Sequence, residues 1–306
     1  MPGFLNMMHL QLMLFLLILV GIYARKRGFL TDEARKKLTD LFINIILPAN
    51  IVASFHVRLT NELISNAGQI LLIAFGVQFF QWGLSKILYR HVPHERQMVV
   101  RYATICSNSG FMGNPVIQGV YGTEGLMYAS IFLIPVRIFM WSAGLSLFTV
   151  TSRRDTVKKL LLHPCIVAVY IGIALMLIDY RIPSFINDTI VSLSNCTTAL
   201  AMIIIGSILA DVNLRTVVDR LMLYYSAIRL LLIPLAVLAV LWLLHVPQLL
   251  TGIAVLLAGM PAGSTTAILA MQYGCDAGYA SKCVLFTTFL SLVTLPVLSW
   301  LVQVIL

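Results

Sequence analysis

Cys106-Ser107-Asn108-Ser109-Gly110-Phe111-Met112-Gly113-Asn114-Pro115 lies inside an apolar run that extends from Met98 to Tyr121. A run of this length matches the ~20 helical residues that one bilayer crossing requires. Its middle nevertheless holds two Asn, two Ser, two Gly and a Pro. A second run, from Gln248 to Tyr273, carries Gly259-Met260-Pro261-Ala262-Gly263-Ser264-Thr265-Thr266 at the same depth. Irregular backbone at membrane depth is tolerated only where protein or a water-filled cavity satisfies it. A matched pair of interrupted spans, one in each half of a chain, points to a transporter's binding site.

The composition fixes the setting. Of 306 residues, 59% are hydrophobic and 11% charged, and the mean hydropathy is +0.93. A soluble domain of this size has no use for so much apolar surface, so the class is polytopic helical membrane protein. In a soluble chain a net charge of +9 would suggest nucleic acid. Here it reads as the loop bias that orients membrane helices, and no nucleic-acid partner is expected. The five Cys form no CxxC pair and read as small packing residues, with no metal and no cofactor expected. The run from Leu10 to Ala24 is followed, not preceded, by Arg25-Lys26-Arg27, and so reads as a retained first helix rather than a signal peptide.

Apolar runs predict ten spans, at 9–25, 38–56, 67–89, 98–121, 125–149, 164–180, 189–210, 218–244, 248–273 and 279–304. With the loop after the first span placed in the cytoplasm, seventeen of the 21 Lys and Arg fall on inside loops and helix ends. Only Arg58 and Arg181 fall outside, which predicts both termini outside. Ten spans divide into five plus five, and an odd number of spans per half inverts the second half. Tyr121-Gly122-Thr123-Glu124 and Tyr273-Gly274-Cys275-Asp276 echo one another at an offset of 152, which also lays Ser109 on Pro261. The expectation is an inverted repeat, residues 1–150 and 151–306, with its two breaks superimposed.

Half-helix ends created by such breaks leave amides that attract anions and carbonyls that attract cations. Candidate substrate-binding residues are Asn108, Ser109, Gly110 and Asn114 at the first break, and Pro261, Ala262, Gly263, Ser264, Thr265 and Thr266 at the second. The bland alternative is that Gly and Pro kink packed helices while Ser and Thr hold them together. All 12 acidic residues and all six His fall in loops or near span ends, leaving Arg137 and Arg229 as the deep charges. Ionisable residues at that depth read by default as functional. An interior with fixed positive charge and no carboxylate suits an organic anion, which Arg can grip bidentately. Arg229 has the alternative of snorkelling or of bonding a neighbouring helix's carbonyls. Arg137 follows Pro135, a kink point. In the second span Asn44 and Asn50 are candidates for the opposite wall, whereas Asn195 of the seventh reads as packing. No HExxH, Walker loop or Gly-x-Ser-x-Gly elbow supports an enzyme.

Ser107-Asn108-Ser109-Gly110-Phe111-Met112-Gly113-Asn114-Pro115 resembles the fourth-helix signature of the auxin efflux carrier family, which joins plant PIN proteins with bacterial permeases for small carboxylates. Phe42 to Phe55 resembles its second helix, Leu200 to Gly206 its seventh and Gly259 to Ala262 its ninth. The likeness implies a ten-helix inverted repeat of the crossed-helix kind also found in sodium–proton antiporters and bile-acid symporters. It implies a scaffold of helices 1, 2, 6 and 7 that dimerises, and a transport domain of helices 3–5 and 8–10. Broken helices 4 and 9 would cross at the substrate, with elevator-like alternating access. The family's crossover Asn matches Asn108 and its ninth-helix Pro matches Pro261. The plant carriers place a Pro where this chain has Ser107, and their long central cytoplasmic domain is absent, so the bacterial acid permeases are the nearer guide. The reading is a bacterial inner-membrane carrier of a small organic anion, a mono- or dicarboxylate. The alternatives are a sodium-coupled symporter of the bile-acid type and a membrane receptor or sensor.

Overall fold

The computed structural model describes residues 2–56, 60–148, 158, 161–178, 183–211, 219–273 and 275–306. Arg58, Arg181 and Gly274 lie outside the described residues, as do Arg153, Arg154, Lys159 and Arg215 of the seventeen inside Lys and Arg and Asp155 and Asp179 of the acidic residues.

Among the described residues the chain is all helix, without a strand. In chain order the elements are α1 (Pro2–Lys26), α2 (Asp32–Ser54), α3 (Asn61–Leu88), α4 (His94–Ile105), α5 (Ser109–Leu147) and α6 (Pro164–Ile178). They continue with α7 (Ser184–Leu209), α8 (Arg220–Leu243), α9 (Gln248–Ala258), α10 (Thr265–Gln272) and α11 (Ala277–Ile305). Seven of these are long and apolar enough to cross a membrane, and α6 and α9 are shorter apolar helices. The 39 residues of α5 would reach about 58 Å if straight, nearly twice a bilayer core. Gly122, with φ 68° and ψ −158°, divides that run in two. The combination is open to glycine and strained for any side chain.

Helices α2 and α3 start at Asp32 and Asn61, earlier than the 38 and 67 that hydropathy predicts, and their caps explain why: Thr31 accepts from Ala34 N and Thr60 from Leu63 N. Asp219 and Asp276 cap α8 and α11 in the same way, accepting from Met222 N and Tyr279 N. Each cap satisfies an orphan amide and lets a polar first turn join the helix. Prolines mark the interiors. The π turns Phe42–Ile46, Ser109–Gly113 and Ile228–Leu232 each end two residues before a proline, Pro48, Pro115 and Pro234. Proline has no amide to donate, and the widened turn accommodates the missing bond.

Two features tie the helices into groups. α1 and α7 cross backbone to backbone, because a Cβ on Gly21 would collide with the Ile203 carbonyl and one on Gly206 with the Ile18 carbonyl. At the adjoining ends Asp211, just past α7, pairs with Arg25 of α1 and Arg35 of α2, and both arginines pair with Asp32. A separate cluster joins α4, α8 and α11, where Arg96 meets Asp219 at 3.4 Å and Asp276 at 3.3 Å. The ion pairs therefore bring together loop ends that the positive-residue count assigns to one side. Large apolar side chains such as Leu16, Leu72, Phe79, Trp242 and Val293 lie on the outside of the bundle.

Candidate functional site at the helix crossing

Both interruptions predicted from sequence are present, and they meet. Between α4 and α5 the chain leaves helix at Cys106–Asn108, and between α9 and α10 at Gly259–Ser264. Ser107 and Ala262 form an isolated antiparallel bridge. It is made by Asn108 N donating to Pro261 O at 2.8 Å and Gly263 N donating to Cys106 O at 3.2 Å. Gly263 lets the two backbones come this close, since a Cβ there would press on Cys106 O at 3.0 Å and Ser107 O at 3.2 Å. Gly113 likewise admits Leu257 against the start of α5.

Accounting for the orphan carbonyls identifies a third participant. In an uninterrupted helix the amide of Asn108 would bond the carbonyl of Thr104; here it goes to Pro261. Thr104 O instead accepts from Arg229 Nη1 at 3.1 Å, and Met260 O accepts from Arg229 Nε at 2.9 Å. One turn earlier on α8, Tyr225 donates its hydroxyl to Ala103 O at 3.1 Å. Leu257 O accepts from Ser109 Oγ at 3.2 Å, and Ala262 N donates to Thr287 Oγ1 of α11 at 3.0 Å. Tyr225 and Arg229 are four residues apart and so share a helix face. That face bridges the carbonyl ends of both broken helices.

Anion-binding potential lies at the opposite ends. Among the described residues the amides of Ser109, Gly110 and Phe111, which open α5, have no backbone acceptor, and neither do those of Ser264 and Thr265, which open α10. Several buried side-chain atoms near them also lack partners: Asn108 Nδ2, both polar atoms of Asn114, Ser264 Oγ, Thr266 Oγ1 and Thr288 Oγ1. Buried polar groups are nearly always satisfied in native proteins, so these atoms are open to water or a ligand, as are others across the bundle such as those of Gln11, Gln78 and Thr197. Thr265 accepts from the buried Tyr102 hydroxyl at 3.2 Å, and nothing stands within 4 Å of the Cβ position of Gly110.

The remaining candidates lie elsewhere. Asn44 is exposed on α2 and bonds its own helix at Asp40 O. Asn50 is buried and joins α2 to Ser194 of α7 at 2.8 Å and to Gln118 of α5, one turn past Asn114, at 3.3 Å. Arg137 is 6% exposed with Nη1 unpartnered. It lies beside Cys165 and His163 at the start of α6, and no hydrogen bond links it to the crossing. Burial first, and then the charge of Arg137, hold the His163 imidazole down to about 4, so it is neutral at ordinary pH. Asn195, read as packing, is exposed. Sequence reasoning missed Tyr225, Tyr102 and Thr287. The Tyr225-x-x-x-Arg229 spacing was the available signal for the first.

Two interrupted apolar helices, paired at their breaks inside a bundle of membrane-length helices, define a polytopic helical membrane protein with a polar centre. Residues 6–299 match the family model described as "Membrane transport protein". The chain belongs to this family, the auxin efflux carrier family that its fourth-helix residues resemble. It is 29% identical to an uncharacterized transporter of Methanothermobacter thermautotrophicus over 92% of this chain and 94% of the relative. It is 24% identical to an uncharacterized transporter of Methanocaldococcus jannaschii, covering 96% and 98%. It is also 24% identical to the uncharacterized transporter YfdV of Escherichia coli, covering 84% and 85%.

Proposed function

We propose that this protein is a secondary carrier for a small organic anion, a mono- or dicarboxylate, whose binding site is the crossing of the two broken helices. The observation that carries this reading is the division of charge at the crossing. Each half-helix end bears roughly half an elementary charge, negative at carbonyl ends and positive at amide ends. The two carbonyl ends, about −1 together, are engaged by the guanidinium of Arg229. The two amide ends, about +1 together, have no fixed counter-charge among the described residues, and the sequence puts all 12 acidic residues in loops or near span ends. A carboxylate completes the balance. Asn108, Asn114, Ser264 and Thr266, with their unpartnered buried atoms, would supply neutral donors around it.

In this reading the chain has ten crossings as two inverted halves, residues 1–150 and 151–306. Helix α4 with the first part of α5, and α9 with α10, are the fourth and ninth crossings. The group α1, α2, α6 and α7 is the scaffold, and a second copy pairs with it. The remainder moves against it as an elevator, in the inner (plasma) membrane with both termini outside. A potential of 100 mV contributes about 2.3 kcal/mol per charge, so a negative interior drives anion exit.

Counterflow in proteoliposomes tests the proposal. Vesicles preloaded with unlabelled malate, malonate, succinate, lactate or indole-3-acetate are given the labelled compound outside. Transient uptake with one of these acids is expected from the wild type and not from Asn108→Ala. A ligand that binds without any counterflow would instead indicate a receptor.

A further inference from the structure

We propose that Arg229 is the crossing's resident counter-cation. It is a positioning residue that holds the carbonyl ends of both broken helices and fills the place where a chain lacking it would bind a small cation. Arg229 is 0% exposed. Among the described residues it pairs with no carboxylate: Asp219, which caps its helix, meets Arg96, and Asp211, just past α7, meets Arg25 and Arg35. What it does face is carbonyl oxygen from two different broken helices, Thr104 O and Met260 O. Backbone carbonyls at broken helices are the chemistry by which carriers coordinate alkali cations. Here a covalently attached cation occupies them.

Its backbone setting serves the same end. Arg229 lies within the π turn Ile228–Leu232 that precedes Pro234, and π turns recur at functional positions because they re-aim one side chain. Tyr225, one turn away, bonds the neighbouring carbonyl of Ala103. Nη2 remains unpartnered and buried, which leaves the guanidinium with N–H donors beyond the two that clasp the breaks. The coupling consequence rests on the carrier reading: anion movement through the crossing requires no sodium at this position.

The test uses purified full-length protein in detergent and needs no substrate. Thermal unfolding is followed with a thiol-reactive dye, which reports exposure of the buried Cys106 and Cys283. Wild type should unfold at the same temperature in sodium, potassium or choline chloride. Arg229→Ala should unfold several degrees lower and recover part of that loss, saturably, with guanidinium chloride at tens of millimolar, while urea at equal concentration restores nothing. Where Arg229→Ala cannot be purified, Arg229→Lys and Arg229→Gln replace it, and the expected order of unfolding temperatures is wild type, then Lys, then Gln. Stabilisation of the wild type by sodium, rescue by urea equal to that by guanidinium, or Lys and Gln variants of equal stability would each overturn the proposal. Guanidinium rescue in a protein that gives no counterflow would uphold the counter-cation and remove only the carrier reading.

Discussion

Gly263→Ala isolates the contact between the two breaks. The added Cβ would stand 3.0 Å from Cys106 O and 3.2 Å from Ser107 O, so the partner it pushes is backbone and not a flexible side chain. The bonds at risk are Asn108 N to Pro261 O and Gly263 N to Cys106 O. A buried backbone hydrogen bond contributes about 1 kcal/mol net, and overpacking costs about 1–3 kcal/mol. If the breaks separate by a few tenths of an ångström without fully losing both bonds, the total is about 2–4 kcal/mol. At roughly 2 °C per kcal/mol for a chain of this size, unfolding should occur about 4–8 °C lower. Gly110→Ala is the matched control, because nothing lies within 4 Å of its Cβ position. Alanine is also the better helix former by about 1 kcal/mol, so the control should unfold at or slightly above the wild-type temperature. Thermal unfolding in detergent or nanodiscs reads both. A Gly263→Ala protein that unfolds within 1 °C or so of Gly110→Ala would refute the pairing of the breaks.

Thr287→Val should cost about 1–3 kcal/mol by leaving the buried Ala262 amide without its acceptor, while Thr287→Ser keeps the bond and unfolds near the wild-type temperature. Gly206→Leu should lower the unfolding temperature at least as far as Gly263→Ala, because α1 must retreat from the Ile18 carbonyl contact. Acid should act through Asp211. Burial opposes its ionisation, but hydrogen bonds and charge from Arg25 and Arg35 outweigh it and hold the carboxyl below its ordinary value of 3.8. A depressed carboxylate contributes stability above its unfolded pKa and loses it as pH falls through the folded one. Wild type should therefore exceed Asp211→Asn in unfolding temperature by a constant margin above about pH 5, and the two curves should converge below about pH 4.

The breaks were legible because Asn, Ser, Gly and Pro within an apolar run have no other ready explanation at membrane depth. Their mutual contact was legible through the 152-residue offset that overlays them and through the resemblance of the fourth and ninth helices to a crossed pair. The clasp was not. A lone Arg229 carries no sign in sequence of which carbonyls it meets, and snorkelling explained it equally well. The Asn pair of α2 shows a reading that geometry could have limited. Asn44 and Asn50 are six residues apart, about 240° around a helix, so they cannot both face one site. Early helix starts at Asp32 and Asn61 were missed because a hydropathy window does not register a polar first turn, whereas the Thr31 and Thr60 caps do. The division of α5 falls where a loop between spans 98–121 and 125–149 was anticipated, and a single glycine of positive φ, Gly122, makes it.

The central claim is that an anion is held at the crossing by the uncompensated amide ends. Counterflow of the acid that the wild type carries, measured for Asn108→Asp beside Asn44→Asp, tests it directly. A carboxylate at position 108 places negative charge where the substrate's belongs, whereas position 44 is exposed on α2. Counterflow should fall at least about tenfold, equivalent to 1.4 kcal/mol or more, in Asn108→Asp and persist in Asn44→Asp. Wild-type counterflow from Asn108→Asp, or equal loss in both, would contradict the account.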